Sequence, residues 1–489
     1  MGEPSSTQSA PGGQHAPGTR HLKRAALAVG ALVLGTVVVF ASVPYLRHGV
    51  SVGIGHSAKK LCSSAFVART DPAQIWKDEL ERKMLVIGSF MSWQVDGGRS
   101  TATVDIFGFG ATAVYRPGLG CTLLVERSVE QVLAETIETL PPPRLDPGAP
   151  WPVGAASAVA GNPTGIDRAA LDAAVDAAFE EPVAGRATRL TNAVMIVHRG
   201  RLLTERYRPG FDPDSRLHGW SMSKSITTLL AARLIEMGRL AIDAPANLEA
   251  LNAVGDARTT ITLDHLMRMT PGFEFDERYQ PGDDVTEMLY EHSDQVGFAA
   301  RRPLAHPPGT HWLYSTGTTN LLSRVVQDRS GGTLQSTYEF SQRELFHPLG
   351  VTTAVIEPDE SGTFIGGAHV HMTPRDWVRF GQLMADDGVW RGRRLLPEGF
   401  VDYATTPTPT SGGSYGAGFW LNSPGGASAP PPEYPSLPRD HFMFRGYDGQ
   451  YIAVQRDRGL VIARFGATAE GDDSGFEALA AATIAAVGG

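Results

Sequence analysis

The spacing of apolar and polar positions divides the chain into a head, an anchor-like run, a small strand-rich stretch and a large mixed region. Residues 25–46 form an uncharged run of 22 residues, long enough to cross a bilayer. Residues 1–24 before it are rich in Pro, Gly and Ser and end in Arg20, His21, Lys23 and Arg24. They read as a disordered tail, and the basic cluster predicts a cytoplasmic N-terminus with the rest of the chain exported. The expectation is a single-pass inner-membrane anchor with an extracytoplasmic body. A cleaved signal peptide is the alternative, since Ala41-Ser42-Val43 is a small-residue stretch.

Beyond the anchor, residues 85–93 and 100–106 have strand composition around the turn Asp96-Gly97-Gly98, and residues 122–139 mix Val, Leu and Glu as a helix would. Residues 60–145 therefore read as a small N-terminal module, and the Pro-, Gly- and Ala-rich residues 146–164 as a linker. From residue 165 the pattern changes. Ile166, Leu171, Val175 and Phe179 mark an amphipathic helix, and residues 193–198 and 202–207 pair around Arg199-Gly200. Ile226, Leu229, Leu230, Ala232 and Leu234 predict a helix that starts at Ser221 and stops at Gly238.

The stretch 240–400 is helical and loop-rich, with helices over 262–268, 316–327 and 373–386; Thr373 is the N-cap of the last and Pro374 its first residue. Residues 423–438 form a low-complexity loop placed to cover a cleft. Strands return at 450–455 and 460–465, followed by an alanine-rich helix over 474–487. Strands and helices at both ends of 165–489 around a helical insert predict an α/β (α+β) core whose antiparallel sheet is assembled from remote segments.

Composition changes this picture little. With 42% hydrophobic and 19% charged residues the balance is globular, and a net charge of −9 with no basic run after the N-terminal region gives nucleic acid no purchase. Cys62 and Cys121, the two cysteines, both follow the apolar run. In an exported chain such a pair reads as a disulfide; two buried thiols are the plain alternative.

The chemistry concentrates at Ser221-Met222-Ser223-Lys224. At a helix start, positions i and i+3 share one face, so the hydroxyl and the ammonium meet. The motif alone is common, and Ser57-Ala58-Lys59-Lys60 fits it too. Lysine usage separates the two copies: of 43 Lys plus Arg only six are lysine, and Lys224 is the one lysine after residue 83. Arg cannot shed a proton at working pH and Lys can, so a lysine kept in an arginine-using chain points to a base for Ser221. A chance lysine in a buried first turn is the bland alternative.

Four segments in order, Ser221-Met222-Ser223-Lys224, Met269-Thr270-Pro271-Gly272-Phe273, Tyr314-Ser315-Thr316-Gly317 and Gly446-Tyr447-Asp448-Gly449-Gln450, resemble the class C β-lactamase-like serine hydrolases. Within that family they are most similar to the 6-aminohexanoate-dimer hydrolase branch. The resemblance implies a β-lactamase/penicillin-binding-like fold over 165–489, an antiparallel sheet flanked by helices with a helical subdomain. It also implies an acyl-enzyme on Ser221, Lys224 as proton acceptor, Tyr314 as the group that protonates the leaving group, and the main-chain N–H groups of Ser221 and Tyr447 as oxyanion hole. A small amide or ester would be the substrate, with no metal or organic cofactor. Two departures stand out: Thr316 replaces the family's usual Asn, and Phe444 stands where penicillin-recognising relatives carry the lysine of K-T-G, which argues against a true β-lactamase or D,D-peptidase.

On the same resemblance, Tyr279 with Asp283 or Asp284, in a polar loop, are candidates for substrate contact, as are Phe444 and Gly446 at the strand edge. His369 and His371 share a strand face. Two imidazoles are an incomplete metal site; packing is the first reading of the pair, His371 as a cleft residue comes next, and a metal last. A penicillin-binding-like protein that holds a ligand without turnover is the reading from outside enzymology; an intact Ser–Lys–Tyr set speaks against it.

Overall fold

The computed structural model describes residues 43–156, 165–184, 186–252, 255–422, 431–469 and 471–488. The apolar run expected to cross a membrane lies, up to residue 42, outside the described residues, and so does part of the loop at 423–438. Among the described residues no helix is long and apolar enough to cross a membrane. The last residues of the run open helix α1, Pro44–Cys62, with Pro44 in the first turn where its missing N–H costs nothing.

A four-stranded antiparallel meander follows: β1 (Ser92–Asp96), β2 (Thr101–Ile106), β3 (Phe109–Arg116) and β4 (Gly120–Leu123). The strand expected over 85–93 begins only at Ser92, and Leu85–Gly88 is a helical turn; so short an apolar run has too little period to choose between the two. Cys62 and Cys121 are joined as a disulfide, tying the end of α1 to β4.

Next come α2 (Arg168–Phe179), the hairpin β5 (Thr191–His198) and β6 (Arg201–Tyr207), the short strand β7 (Leu217–His218) and α3 (Met222–Glu236). The middle supplies α4 (Asp284–Glu291), α5 (Thr316–Ser330), β8 (Val355–Ile356), β9 (Val370–Met372) and α6 (Pro374–Ala385). The end supplies β10 (Trp420–Leu421), β11 (Phe442–Gly446), β12 (Gln450–Gln455), β13 (Leu460–Gly466) and α7 (Phe476–Ala486).

The main sheet has the order β10-β11-β12-β13-β5-β6, every pair antiparallel. Its strands come from both ends of the 165–489 region, as the pattern predicted. Alternate side chains feed two cores. Val194, Ile196, Ala453 and Ile462 pack with Leu171, Val175 and Leu479 of α2 and α7. Met195, Val197, Ile452 and Val461 face the other way, toward Ile226 and Leu229 of α3 and Trp377 and Phe380 of α6. Both faces are covered, which is why 193–198 reads as a continuous apolar run and not an alternating one. Ile226, Leu229, Leu230 and Leu234 are at most 3% exposed, each contributing about 1.5–3 kcal/mol by burial. This fixes α3 and the residues at its start.

The segment before residue 141 joins the same apolar cluster through Ile54, Ala58, Leu61, Leu80 and Val104. It is also pinned by polar contacts: His56 Nδ1 lies 3.0 Å from the Tyr290 hydroxyl of α4, Ser63 donates to Glu357 Oε1 at 2.7 Å, and Lys59 pairs with Glu357 Oε2 at 2.9 Å.

Candidate active site

The turn before α3 is built by close contact. The Gly219 N–H donates to the Val370 carbonyl at 2.9 Å, and a Cβ at Gly219 would run into the Trp377 indole. Trp220 is held at φ 48°, a left-handed conformation that a bulky residue adopts only under constraint. Ser221 then occupies the N-cap of α3, yet its side chain makes no cap hydrogen bond. Its Oγ lies 3.0 Å from Lys224 Nζ. Lys224 is 2% exposed, and its Nζ also donates to Thr316 Oγ1 at 2.8 Å and to the Gly367 carbonyl at 2.9 Å. Nζ thus has three oxygens within hydrogen-bond distance; the Thr316 and Gly367 oxygens can take its N–H groups and leave the Ser221 hydroxyl for the nitrogen lone pair of a neutral amine.

Thr316, at the first turn of α5, links the lysine to an acid that the sequence reading passed over. The Thr316 N–H donates to Glu277 Oε2 at 2.8 Å and its hydroxyl bonds Oε1. Glu277 Oε1 lies 3.8 Å from Lys224 Nζ. The carboxylate thus caps a helix N-terminus, where negative charge is favoured. Burial pushes the Glu277 carboxyl above its usual range, against the opposing pull of the Lys224 ammonium and the Thr316 hydrogen bonds. A polar loop that already held Tyr279 carried Glu277 two residues earlier. That was the available signal.

The Lys224 Nζ stands 4.7 Å from the centroid of the Tyr314 ring, which packs against Trp420 at 4.9 Å and edge-on to Tyr415 at 5.7 Å. Tyr279, at φ 65°, stacks on Tyr447 at 5.3 Å and 10°, and burial pushes its phenol upward. Ser221, Glu277, Tyr279, Tyr314, Trp420 and Tyr447 line one open cleft of about 410 Å³. Arg445 and Gly446 sit on its rim.

A Cβ on Gly446 would overlap the Gly219 carbonyl oxygen, so the end of β11 lies directly against the turn that precedes Ser221. The Tyr447 ring meets Trp220 edge-on at 5.5 Å. Asp448 is held at φ 59°, and Lys83 grips its carboxylate with contacts of 2.9 and 2.6 Å. Lys83 Nζ is also 4.8 Å from the Tyr447 ring centroid and 5.7 Å from that of Trp220. Trp220, Tyr279 and Asp448, three non-glycine residues at positive φ, therefore gather around Ser221 and Tyr447. Backbone strain of this kind collects at functional sites.

Other sequence candidates lie elsewhere. Asp283 accepts from the Gln280 N–H at 2.7 Å and from Arg278 at 3.2 Å. Asp284 accepts from the Asp276 N–H at 2.9 Å and pairs with Arg302 at 3.2 Å. Both carboxylates are thus occupied in shaping the loop that presents Glu277 and Tyr279, and neither lines the cleft. Phe444 is fully buried and packs edge-on to Phe419 at 5.0 Å. Alternation along β11 sends Arg445 to the cleft and Phe444 to the core, a correction to the expectation that Phe444 faces substrate. His371 is 2% exposed and sits with His218 and His369 behind the turn. That trio, and His48 with Glu287 and Glu291, are the groups close enough to share a cation among the described residues.

An antiparallel sheet with helices on both faces, and a cleft where a helix N-terminus meets the sheet edge, define the β-lactamase/penicillin-binding-like α/β fold. The family model described as Beta-lactamase matches residues 175–486, and the chain belongs to that family. It is 24% identical over 229 residues to the 6-aminohexanoate-dimer hydrolase of Paenarthrobacter ureafaciens, covering 43% of this chain and 56% of that one. Over 196 residues it is 28% identical to Esterase EstB of Burkholderia gladioli, covering 36% and 49%. The chain thus spans about half the length of the curated relatives it matches. A Bacillus anthracis structure provisionally assigned as a 6-aminohexanoate-dimer hydrolase superposes with a TM-score of 0.52 at 21% identity, covering 61% of this chain and 79% of that one. At that identity the likeness shows the fold.

Proposed function

We propose that this protein is a serine hydrolase that cleaves a small amide or ester through an acyl-enzyme on Ser221. The observation that carries this reading is the 3.0 Å contact between Ser221 Oγ and the Nζ of a lysine only 2% exposed. In the proposed reaction the neutral amine of Lys224 takes the hydroxyl proton as Ser221 Oγ attacks the substrate carbonyl carbon. The main-chain N–H groups of Ser221 and Tyr447 receive the charge that develops on the carbonyl oxygen. The tetrahedral intermediate collapses with loss of the amine or alcohol, which takes its proton from Tyr314, and Lys224 restores the Tyr314 hydroxyl. Water then attacks the ester carbonyl carbon as its proton passes to Lys224; the C–Oγ bond breaks, Ser221 Oγ takes that proton back from Lys224, and the free acid leaves.

The names of the relatives, one an amide-linked dimer hydrolase and one an esterase, support amide or ester chemistry. Phe444, turned into the core, stands where K-T-G relatives carry their lysine, and Arg445, the neighbouring cation that lines the cleft, is paired with Glu433 at 2.7 Å, so the reading does not extend to β-lactams. The basic cluster ahead of residues 25–46 and the Cys62–Cys121 disulfide support an exported and anchored chain.

The test is intact-mass spectrometry of the full chain after a fluorophosphonate, alongside Ser221→Ala and Lys224→Ala. One adduct on the wild type, absent from Ser221→Ala and slowed in Lys224→Ala, is expected. An adduct that persists in Ser221→Ala overturns the mechanism.

A further inference from the structure

We propose that His218, His369 and His371 form a binding site for one divalent transition-metal ion of the zinc type, a site separate from the cleft chemistry. The sequence placed two imidazoles on one strand face. The fold adds the third: in the β9–β7 pair His371 is directly opposite His218, and His369 lies two residues before His371 on the same side. His369 and His371 are 3% and 2% exposed.

Their ring nitrogens are left unsatisfied in a way that ordinary packing does not explain. His218 Nδ1, His369 Nε2 and His371 Nδ1 are buried without a hydrogen-bond partner among the described residues, and His371 Nε2 has only the Glu357 carboxylate facing it, at 3.5 Å. An unpaired buried polar atom costs about 1–3 kcal/mol, and buried groups of this kind call for a water or an ion. One orientation is already set for ligation. His218 Nε2 contacts the Ala368 carbonyl at 2.8 Å, so it carries the proton and presents Nδ1 as a lone pair, the arrangement that outer-shell carbonyls impose on metal-binding histidines. One ligand atom from each ring falls within 4.8 Å of the others, against roughly 3.3 Å between nitrogens of a tetrahedral zinc site with ~2.0 Å bonds.

A small, partly open cavity of about 10 Å³ lies against the three rings, walled also by His56, Ser63, Lys59 and Lys60. That is about the space of one water-sized sphere, enough for one ion. Glu357 Oε2, 3.5 Å from His371 Nε2 and 3.7 Å from His369 Nδ1, brings the negative charge. Lys59, 2.9 Å from the same oxygen, and Lys60, on the cavity wall, both oppose a cation. The His218 ring is nearly parallel to those of His369 and His371, at 6° and 10°, so the rings must turn about the Cβ–Cγ bond for the lone pairs to converge. The second trio is unlike this one: His48 Nδ1 already lies 2.7 Å from Glu291, a satisfied pair that needs no ion. An ion held between β7 and β9 would stiffen the strand that ends three residues before Ser221.

The experiment uses untagged full-length protein purified without chelator. Metal content is measured by plasma mass spectrometry, Co²⁺ binding by visible absorption and stability by thermal unfolding with Zn²⁺ or EDTA. About one equivalent of zinc is expected, lost with EDTA together with a fall in melting temperature, and Co²⁺ should give the intense visible bands of a four-coordinate nitrogen-rich site. His371→Gln and His369→Gln should abolish binding and the zinc-dependent stability, while His48→Gln should keep both. The wild-type titration alone decides the case if a variant fails to fold. No stoichiometric zinc or cobalt binding by the wild type, or binding that survives His371→Gln and disappears in His48→Gln, overturns the proposal and leaves a buried water as the partner of these rings.

Discussion

Lys83 holds both carboxylate oxygens of Asp448, at 2.9 and 2.6 Å, so the segment preceding the family-matched region supplies the counter-charge beside Tyr447. Burial pushes the Asp448 carboxyl up and the ammonium is the main force against it. Removing one partner of a mostly buried pair costs about 3–5 kcal/mol because the other charge is left uncompensated. Lys83→Met should therefore lower stability by about that amount and reduce turnover more than it raises KM. Lys83→Met/Asp448→Asn should regain part of the stability. A double-mutant cycle by chemical denaturation measures the coupling, and strictly additive losses would show that the pair does not hold the loop.

Glu277 stands 3.8 Å from Lys224 and is bridged to it by Thr316. Glu277→Gln keeps an acceptor for Thr316 and removes the charge. Taking a negative charge away from an ammonium favours its neutral form, so the rising limb of the pH–rate profile should move to lower pH. The maximum rate should fall by about 10- to 100-fold, since a charge that supports developing positive charge on the base is gone. Steady-state kinetics from pH 5 to 9 (roughly the working range of such groups) checks this. An unshifted profile would make Glu277 a purely structural cap.

Much of this geometry was legible where the chemistry is local. Ser221 and Lys224 are three residues apart on one helix, and lysine scarcity singled the pair out. Thr373 and Pro374 marked the start of α6 where the structure puts it. Relationships that depend on long-range closure were not legible. Glu277 meets Thr316 across 39 residues of sequence, and Lys83 meets Asp448 across 365. No periodicity encodes either encounter. His218 joins His369 and His371 only because β7 pairs with β9. Phe444 was assigned by its place in a motif, whereas its direction is set by the pleat of β11.

Gly446 tests whether the approach of β11 to the turn before Ser221 matters. A Cβ there meets the Gly219 carbonyl oxygen, and both groups are backbone, so neither swings aside. Gly446→Ala must push the strand end and Tyr447 away from Ser221. Displacing an oxyanion donor costs about 10²–10³ in rate, so a loss of that order is expected in acylation by a chromogenic ester, with thermal unfolding little changed by comparison. Retained acylation would remove Tyr447 N–H from the mechanism.

His441, the residue before β11, is 1% exposed with no hydrogen-bond partner for either ring nitrogen among the described residues. Burial alone lowers its pKa to about 4. The unfolded chain titrates near 6.5. Between these values the unfolded state binds the extra proton, so stability present above about pH 6.5 is lost as pH falls toward about 4. A difference of about 2.5 units corresponds to roughly 3 kcal/mol. His56, His218 and His369 are lowered in the same sense, so a slope remains when His441 is removed. His441→Leu should reduce that slope, and the gap between variant and wild type should widen by up to roughly 3 kcal/mol between about pH 7.5 and 4.5. Urea unfolding across that range measures it. Curves that stay parallel would mean that His441 keeps its ordinary affinity for protons despite its burial.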